Sequence, residues 1–149
     1  MTDTTDHDAV EYPCAHCGRT NRILRGRILD HPTCGACKQK LFPSRPTTVT
    51  DDNWLTEVEA CPIPVLVDFW APWCGPCRTV GPVLEQIAAE RAGRIKIGKL
   101  NVDENPRLAA KFQVNAIPML MIFRGPVLID EIRGAVPKAT IEAHLSRVA

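Results

Sequence analysis

The chain has 149 residues, enough for one domain with a core of its own plus a small appendage. Its formal net charge is +1, so no long-range field marks nucleic acid or a membrane surface as a partner. No apolar run reaches the roughly 20 residues of a membrane span. Residues 1–8 are polar and acidic, unlike a secretory signal, and the cytoplasm is the expected location.

Residues 1–10 lack apolar periodicity and are expected to form a flexible N-terminus. Residues 11–45 read as a cysteine-bearing module and its linker. Large apolar side chains are few there (Ile23, Leu24, Ile28, Leu29, Leu41 and Phe42), too few to hold a fold unaided. Two prolines stiffen the linker Pro43-Ser44-Arg45-Pro46.

Residues 46–149 have a different pattern and read as a separate domain. Thr47, Thr48 and Val49 suit a short strand, and Asp51 is placed to cap a short helix bearing Trp54, Leu55 and Val58. The run Val65-Leu66-Val67-Asp68-Phe69-Trp70 reads as a buried strand. A helix over residues 75–91 follows, with Pro82 expected to kink it. Residues 95–100 alternate as a strand. Asn105 and Pro106 suit the cap and first position of a helix running through Phe112. Residues 119–123 form a buried strand. Gly125 and Pro126 turn it into an antiparallel partner over residues 127–132, and Pro137 opens a last helix bearing Ile141, Leu145 and Val148. The order βαβαβαββα implies an α/β fold, a mixed central sheet with helices on both faces. Trp54 and Trp70 read as core, and His144 has no evident partner.

Seven cysteines fit a reducing compartment better as metal ligands and redox groups than as a disulfide framework. Six of them fall into the pairs Cys14/Cys17, Cys34/Cys37 and Cys74/Cys77, and Cys61 is left over. Cys74-Gly75-Pro76-Cys77 lies where a strand gives way to a helix. The N–H groups and dipole of a helix N-terminus favour a thiolate on the first cysteine, and the spacing lets the second sulfur close a small disulfide ring. The plainer alternative is a pair of buried structural thiols. Asp68 is the one ionisable group in its apolar strand. Burial should raise its pKa and make it a proton acceptor for Cys77 through water, unless it faces solvent. Lys99 on the next strand either pairs with Asp68 or lies on a solvated face.

The first two pairs are separated by sixteen residues, the spacing of a four-cysteine zinc site. Each pair presents two sulfurs from one tight loop, and two loops complete a tetrahedron that Zn²⁺ accepts. Gly18 and Gly35 are expected to supply the positive φ of these loops. One structural zinc on Cys14, Cys17, Cys34 and Cys37 is therefore expected, with His16 and His31 as bystanders. Arg19, Arg22, Arg25, Arg27, Lys38 and Lys40 lie close by in sequence and balance the negative charge of such a centre. No aromatic interleaves them, so nucleic acid is not expected as a partner.

Residues 47–149 resemble the thioredoxin family over nearly the whole fold. The resemblance rests on Val67-Asp-Phe-Trp-Ala-Pro-Trp-Cys-Gly-Pro-Cys77, Lys99-Leu-Asn-Val-Asp103, Ala116-Ile-Pro118 and Gly134, in that order. With the four-cysteine segment in front, the chain is similar to the zinc-binding bacterial members of that family. The resemblance implies that Cys74 is the exposed nucleophile and Cys77 the buried resolving thiol. It implies that Gly75 and Pro76 fix the turn, and that Trp73 offers targets a flat apolar contact. It places a cis peptide between Ile117 and Pro118, so that the Ile117 backbone receives an extended substrate beside Gly134. The implied activity is reduction of protein disulfides by a monomer that takes electrons from thioredoxin reductase, with no organic cofactor in the chain. A zinc-bearing redox sensor or holdase is the alternative.

Overall fold

The computed structural model describes residues 8–149. The strands are β1 (Ala9–Pro13), β2 (Thr20–Leu24), β3 (Thr47–Thr48), β4 (Val65–Trp70), β5 (Lys96–Asn101), β6 (Met119–Arg124) and β7 (Val127–Arg133). The helices are α1 (Gly75–Glu90), α2 (Pro106–Lys111) and α3 (Lys138–Leu145), with a 3₁₀ helix at Arg25–Asp30 and a single π turn at Leu55–Glu59. A flexible N-terminus is expected over residues 1–10, but Ala9 and Val10 pair with Leu24 and Ile23 in an antiparallel hairpin. Residues 1–7 lie outside the described residues.

β3, β5, β4, β6 and β7 form a five-stranded sheet in that order. β5 runs parallel to β3 and β4, while β6 is antiparallel to β4 and β7. The parallel pairs require crossovers, and α1 supplies the one between β4 and β5. Because side chains alternate along a strand, the sheet has two apolar faces. Leu66, Ile97, Leu120 and Ile122 pack against Leu84 and Ile87 of α1 and Ile141 and Leu145 of α3. Val67, Phe69, Leu100 and Phe123 form the other face with Trp54 and Leu108. Trp54 stands edge-on to Phe123 at 5.0 Å between centroids, a favoured aromatic geometry. Pro82 sits inside α1, whose helical span continues past it to Glu90.

The N-terminal segment is not a separate body. Tyr12, Ile23, Ile28, Leu41 and Phe42 belong to the same continuous core as the second sheet face. The segment thus obtains from the sheet the apolar cover that it lacks by itself.

Asp51 does not cap the helical turn after it. Thr50 and Asn53 close that loop instead: Thr50 N–H donates to Asn53 Oδ1 at 2.6 Å and Asn53 N–H to Thr50 Oγ1 at 3.1 Å. The Asp51 carboxylate accepts from the backbone N–H of Arg107 at 3.2 Å and Leu108 at 3.0 Å, at the start of α2. Asn105, the expected cap of α2, is occupied elsewhere, accepting from Asp51 N–H and donating to the Asn101 carbonyl. His144 also gains a partner: its Nδ1 lies 2.6 Å from Asp130 Oδ2, tying α3 to β7.

Candidate redox site and metal centre

β4 delivers the chain to the sheet's end, and a short turn starts α1 with Cys74 as its N-cap. Cys74 N–H donates to the Ala71 carbonyl at 3.1 Å. Cys77 N–H donates to Cys74 Sγ at 3.2 Å, so a sulfur performs the capping that an oxygen usually does. Pro76, in the first turn, removes an N–H that would have had no helical partner. Cys74 and Cys77 are joined by a disulfide, with Cα atoms 5.3 Å apart. The exposure difference expected between them is absent in this oxidised form, since each is 4% exposed. Bonding to its partner holds Cys74 in an apolar cluster with Ala71, Cys77, Trp70, Val102 and Ile117.

Around the disulfide, Trp73 is 68% exposed, and its Nε1–H donates to Asp103 Oδ2 at 2.8 Å. The Ile117–Pro118 peptide is cis, and the Ile117 carbonyl oxygen lies 3.9 Å from Cys74 Sγ. Gly134, with φ of 83°, donates its N–H to the Pro118 carbonyl at 3.0 Å. Trp73 and the Ile117–Pro118 segment thus flank the disulfide. Arg78, which sequence reasoning left out, donates to the Pro72 carbonyl at 2.8 Å and braces the turn.

Asp68 lies on the face of β4 that carries Leu66, beneath α1, and is 0% exposed. Neither carboxylate oxygen has a hydrogen-bond partner among the described residues. Burial pushes its pKa up to about 7, partly offset by the charge of Lys99. Lys99 is its register partner on β5. Of the two readings of Lys99, direct pairing with Asp68 is not formed: no ion pair joins them among the described residues, and Lys99 Nζ sits 4.6 Å from the centroid of the Trp70 ring. Both side chains are partly or fully inside, so Lys99 acts on Asp68 through space.

The first two cysteine pairs form equivalent loops. Cys14 N–H donates to the Arg19 carbonyl and Gly18 N–H to the Cys14 carbonyl; Cys34 N–H donates to Gln39 and Lys38 N–H to Cys34 in the same way. His16 N–H points at Cys14 Sγ and Ala36 N–H at Cys34 Sγ, both at 3.4 Å. The repeat corrects one expectation. Positive φ falls at Gly18 (79°) and at Lys38 (67°), the fourth residue after each first cysteine, and not at Gly35. Gly35 N–H is held by Asn21 Oδ1 instead.

The four Sγ atoms lie within 4.8 Å of one another, with Cys14–Cys37 and Cys17–Cys34 at 3.6 Å. A tetrahedron with Zn–S bonds of about 2.3 Å has edges of about 3.8 Å, so the donor set fits such an ion. His16 and His31 are not in the cluster. The backbone N–H groups of His16 and Ala36 approach the sulfurs.

Two family models cover most of the chain: the Thioredoxin model matches residues 45–147, and the model described as Thioredoxin 2, N-terminal, a zinc ribbon, matches residues 13–39. The chain belongs to the thioredoxin family, and is a thiol-disulfide oxidoreductase carrying an N-terminal four-cysteine ribbon. It is 50% identical over 99 residues to Thioredoxin 1 of a Nostoc species, covering 66% of this chain and 92% of that one. The figures are the same for a thioredoxin of Porphyra purpurea. It is 39% identical over 129 residues to chloroplastic Thioredoxin M4 of Arabidopsis thaliana, covering 87% of this chain and 65% of that protein. No helix among the described residues is long and apolar enough to cross a membrane.

Proposed function

We propose that the chain reduces protein disulfides, cycling Cys74 and Cys77 between dithiol and disulfide. The observation that carries this reading is the Cys74 sulfur seated as the N-cap of α1 beside the Ile117 carbonyl. In the reduced state the helix N-terminus favours the Cys74 thiolate. It attacks one sulfur of a target disulfide, an S–S bond forms to Cys74, and the target's other sulfur leaves as thiolate. Cys77 then gives its proton to the buried Asp68 carboxylate through water and attacks Cys74 Sγ. That step expels the target's second thiolate and closes the Cys74–Cys77 bond. A group with a pKa of about 7 is suited to taking and returning that proton near neutral pH.

The cycle delivers two electrons to the target, and a thioredoxin reductase restores them. Trp73, Gly75, Pro76, Ile117, Pro118 and Gly134 form the surface that receives an extended target segment, a reading supported by the Ile117 carbonyl 3.9 Å from the Cys74 sulfur. Lys99 tunes the carboxyl of Asp68. Cys14, Cys17, Cys34 and Cys37 would hold one structural Zn²⁺, which would offset part of their thiolate charge and tie the two loops together. The protein acts as a cytoplasmic monomer, with residues 11–45 as the metal module and 46–149 as the redox domain.

The test uses the full chain, a model protein disulfide and reductase. Cys74→Ser should abolish turnover, and Cys77→Ser should accumulate mixed disulfides with the target. Turnover retained by Cys74→Ser, or no mixed disulfide with Cys77→Ser, would sink the assignment. Metal content measured on the same preparations should be one zinc per chain.

A further inference from the structure

Among the described residues, the buried polar or charged side chains are Glu57, Asp68, Lys96 and Asn105. Asp68 belongs to the redox site and Asn105 to the α2 junction. Glu57 and Lys96, 3% and 5% exposed, serve neither. Lys96 Nζ donates to Glu57 Oε1 at 2.9 Å, to the Glu57 carbonyl at 2.9 Å and to the Tyr12 hydroxyl at 2.7 Å. An ammonium has three N–H donors, and all three are used. A buried ion pair is tolerable only when its remaining donors are matched, so the third bond is not optional.

That third partner comes from the far side of the molecule's sequence. Tyr12 is 84 residues from Lys96 and only two residues ahead of the ligating Cys14. Its ring stacks on Phe42 at 5.3 Å and lies 5.4 Å from the ammonium. The strand that launches the first metal loop therefore ends on a hook set in the redox sheet.

We propose that Lys96 is a positioning residue for the metal centre: with Glu57 it anchors Tyr12, and so holds the Cys14–Cys17 loop in ligating geometry. By linkage, the metal and the contact between β1 and β5 stabilise each other. This rests on the four cysteines being a metal site.

The test follows release of zinc from the intact chain to a chromogenic chelator. Tyr12→Phe touches no thiolate and deletes one hydroxyl. It should speed release about ten-fold, the factor carried by one hydrogen bond to a charged group. Lys96→Met should do the same, and the double variant should add nothing to Lys96→Met alone. Where Lys96→Met does not fold, Tyr12→Phe alone decides. Phe42→Leu loosens the same packing without touching the network. If it speeds release as much as Tyr12→Phe at equal stability, or if Tyr12→Phe stays within about two-fold of the wild type, the proposal fails. Hydrogen exchange of the β1 and β2 amides is read in parallel. Should the wild type hold no metal, the metal reading fails by itself, while faster exchange in Tyr12→Phe supports the anchor and unchanged exchange overturns it.

Discussion

Replacing Asp68 by Asn should make the oxidised protein more stable at pH 8 and not at pH 4. The folded carboxyl titrates at about 7, against an ordinary value of 3.8. Three units correspond to about 4 kcal/mol at about 1.36 kcal/mol per unit. The folded pKa is raised, so the protonated carboxyl's stability is fully present below the unfolded pKa and is lost as pH rises through 7. Above that, the wild type carries the whole penalty of an ionised, unpartnered carboxylate. The amide carries no charge, but its NH₂ enters a site where neither oxygen has a partner, which costs about 1–3 kcal/mol. The variant should therefore gain about 1–3 kcal/mol at pH 8 and be equal or weaker at pH 4. Urea unfolding of both proteins at pH 4, 6 and 8, with the disulfide intact, measures this. A stability difference that does not change with pH would refute the reasoning, because it would mean that Asp68 is not buried as an acid. Turnover of Asp68→Asn should fall most near neutral pH, where proton acceptance from Cys77 is needed.

Asp51→Ala should cost about 1 kcal/mol in urea unfolding, the usual loss when an acceptor is removed from a helix N-terminus; no change would mean that solvent replaces it without cost. A chain beginning at Pro46 should retain disulfide chemistry, since β4, α1 and the Ile117 segment are all present. Its urea midpoint should drop well below that of the full chain, because Lys96 loses Tyr12 and the sheet face loses Ile28, Leu41 and Phe42. Equal midpoints would show the two parts to be energetically independent.

The strands and helices after residue 46 were legible because their apolar periods are clean, and β4 is buried at five consecutive positions. The cysteine pairs pointed to both candidate sites, the redox pair by its place between a strand and a helix and the other four cysteines by their spacing. What stayed hidden depended on partners distant in sequence. Lys96 and Lys99, three residues apart, fall on opposite faces of an alternating strand, but nothing local tells that one face meets Tyr12 and the other Trp70. Asp51 reads as a cap because it is one, but the helix it serves begins more than fifty residues later. The positive φ at Lys38 is legible when the two loops are aligned on their cysteines, which sets Lys38 opposite Gly18. Ala9 and Val10 were missed because two small apolar residues show no period, and only the pairing with β2 makes them a strand.

The Asp51 bonds also bear on the order in which the chain assembles. α2 has six residues, too few to persist as an isolated helix. Its first free N–H groups are met by a carboxylate 56 and 57 residues away in sequence, so they stay unmet until β3 has docked beside β5. A contact that closes so long a loop is expected to form late. Deleting it should hardly slow folding and should show almost wholly as faster unfolding. α2 is thus a segment whose persistence is a matter of lifetime, set by how long a residue from the start of the redox domain stays at its N-terminus.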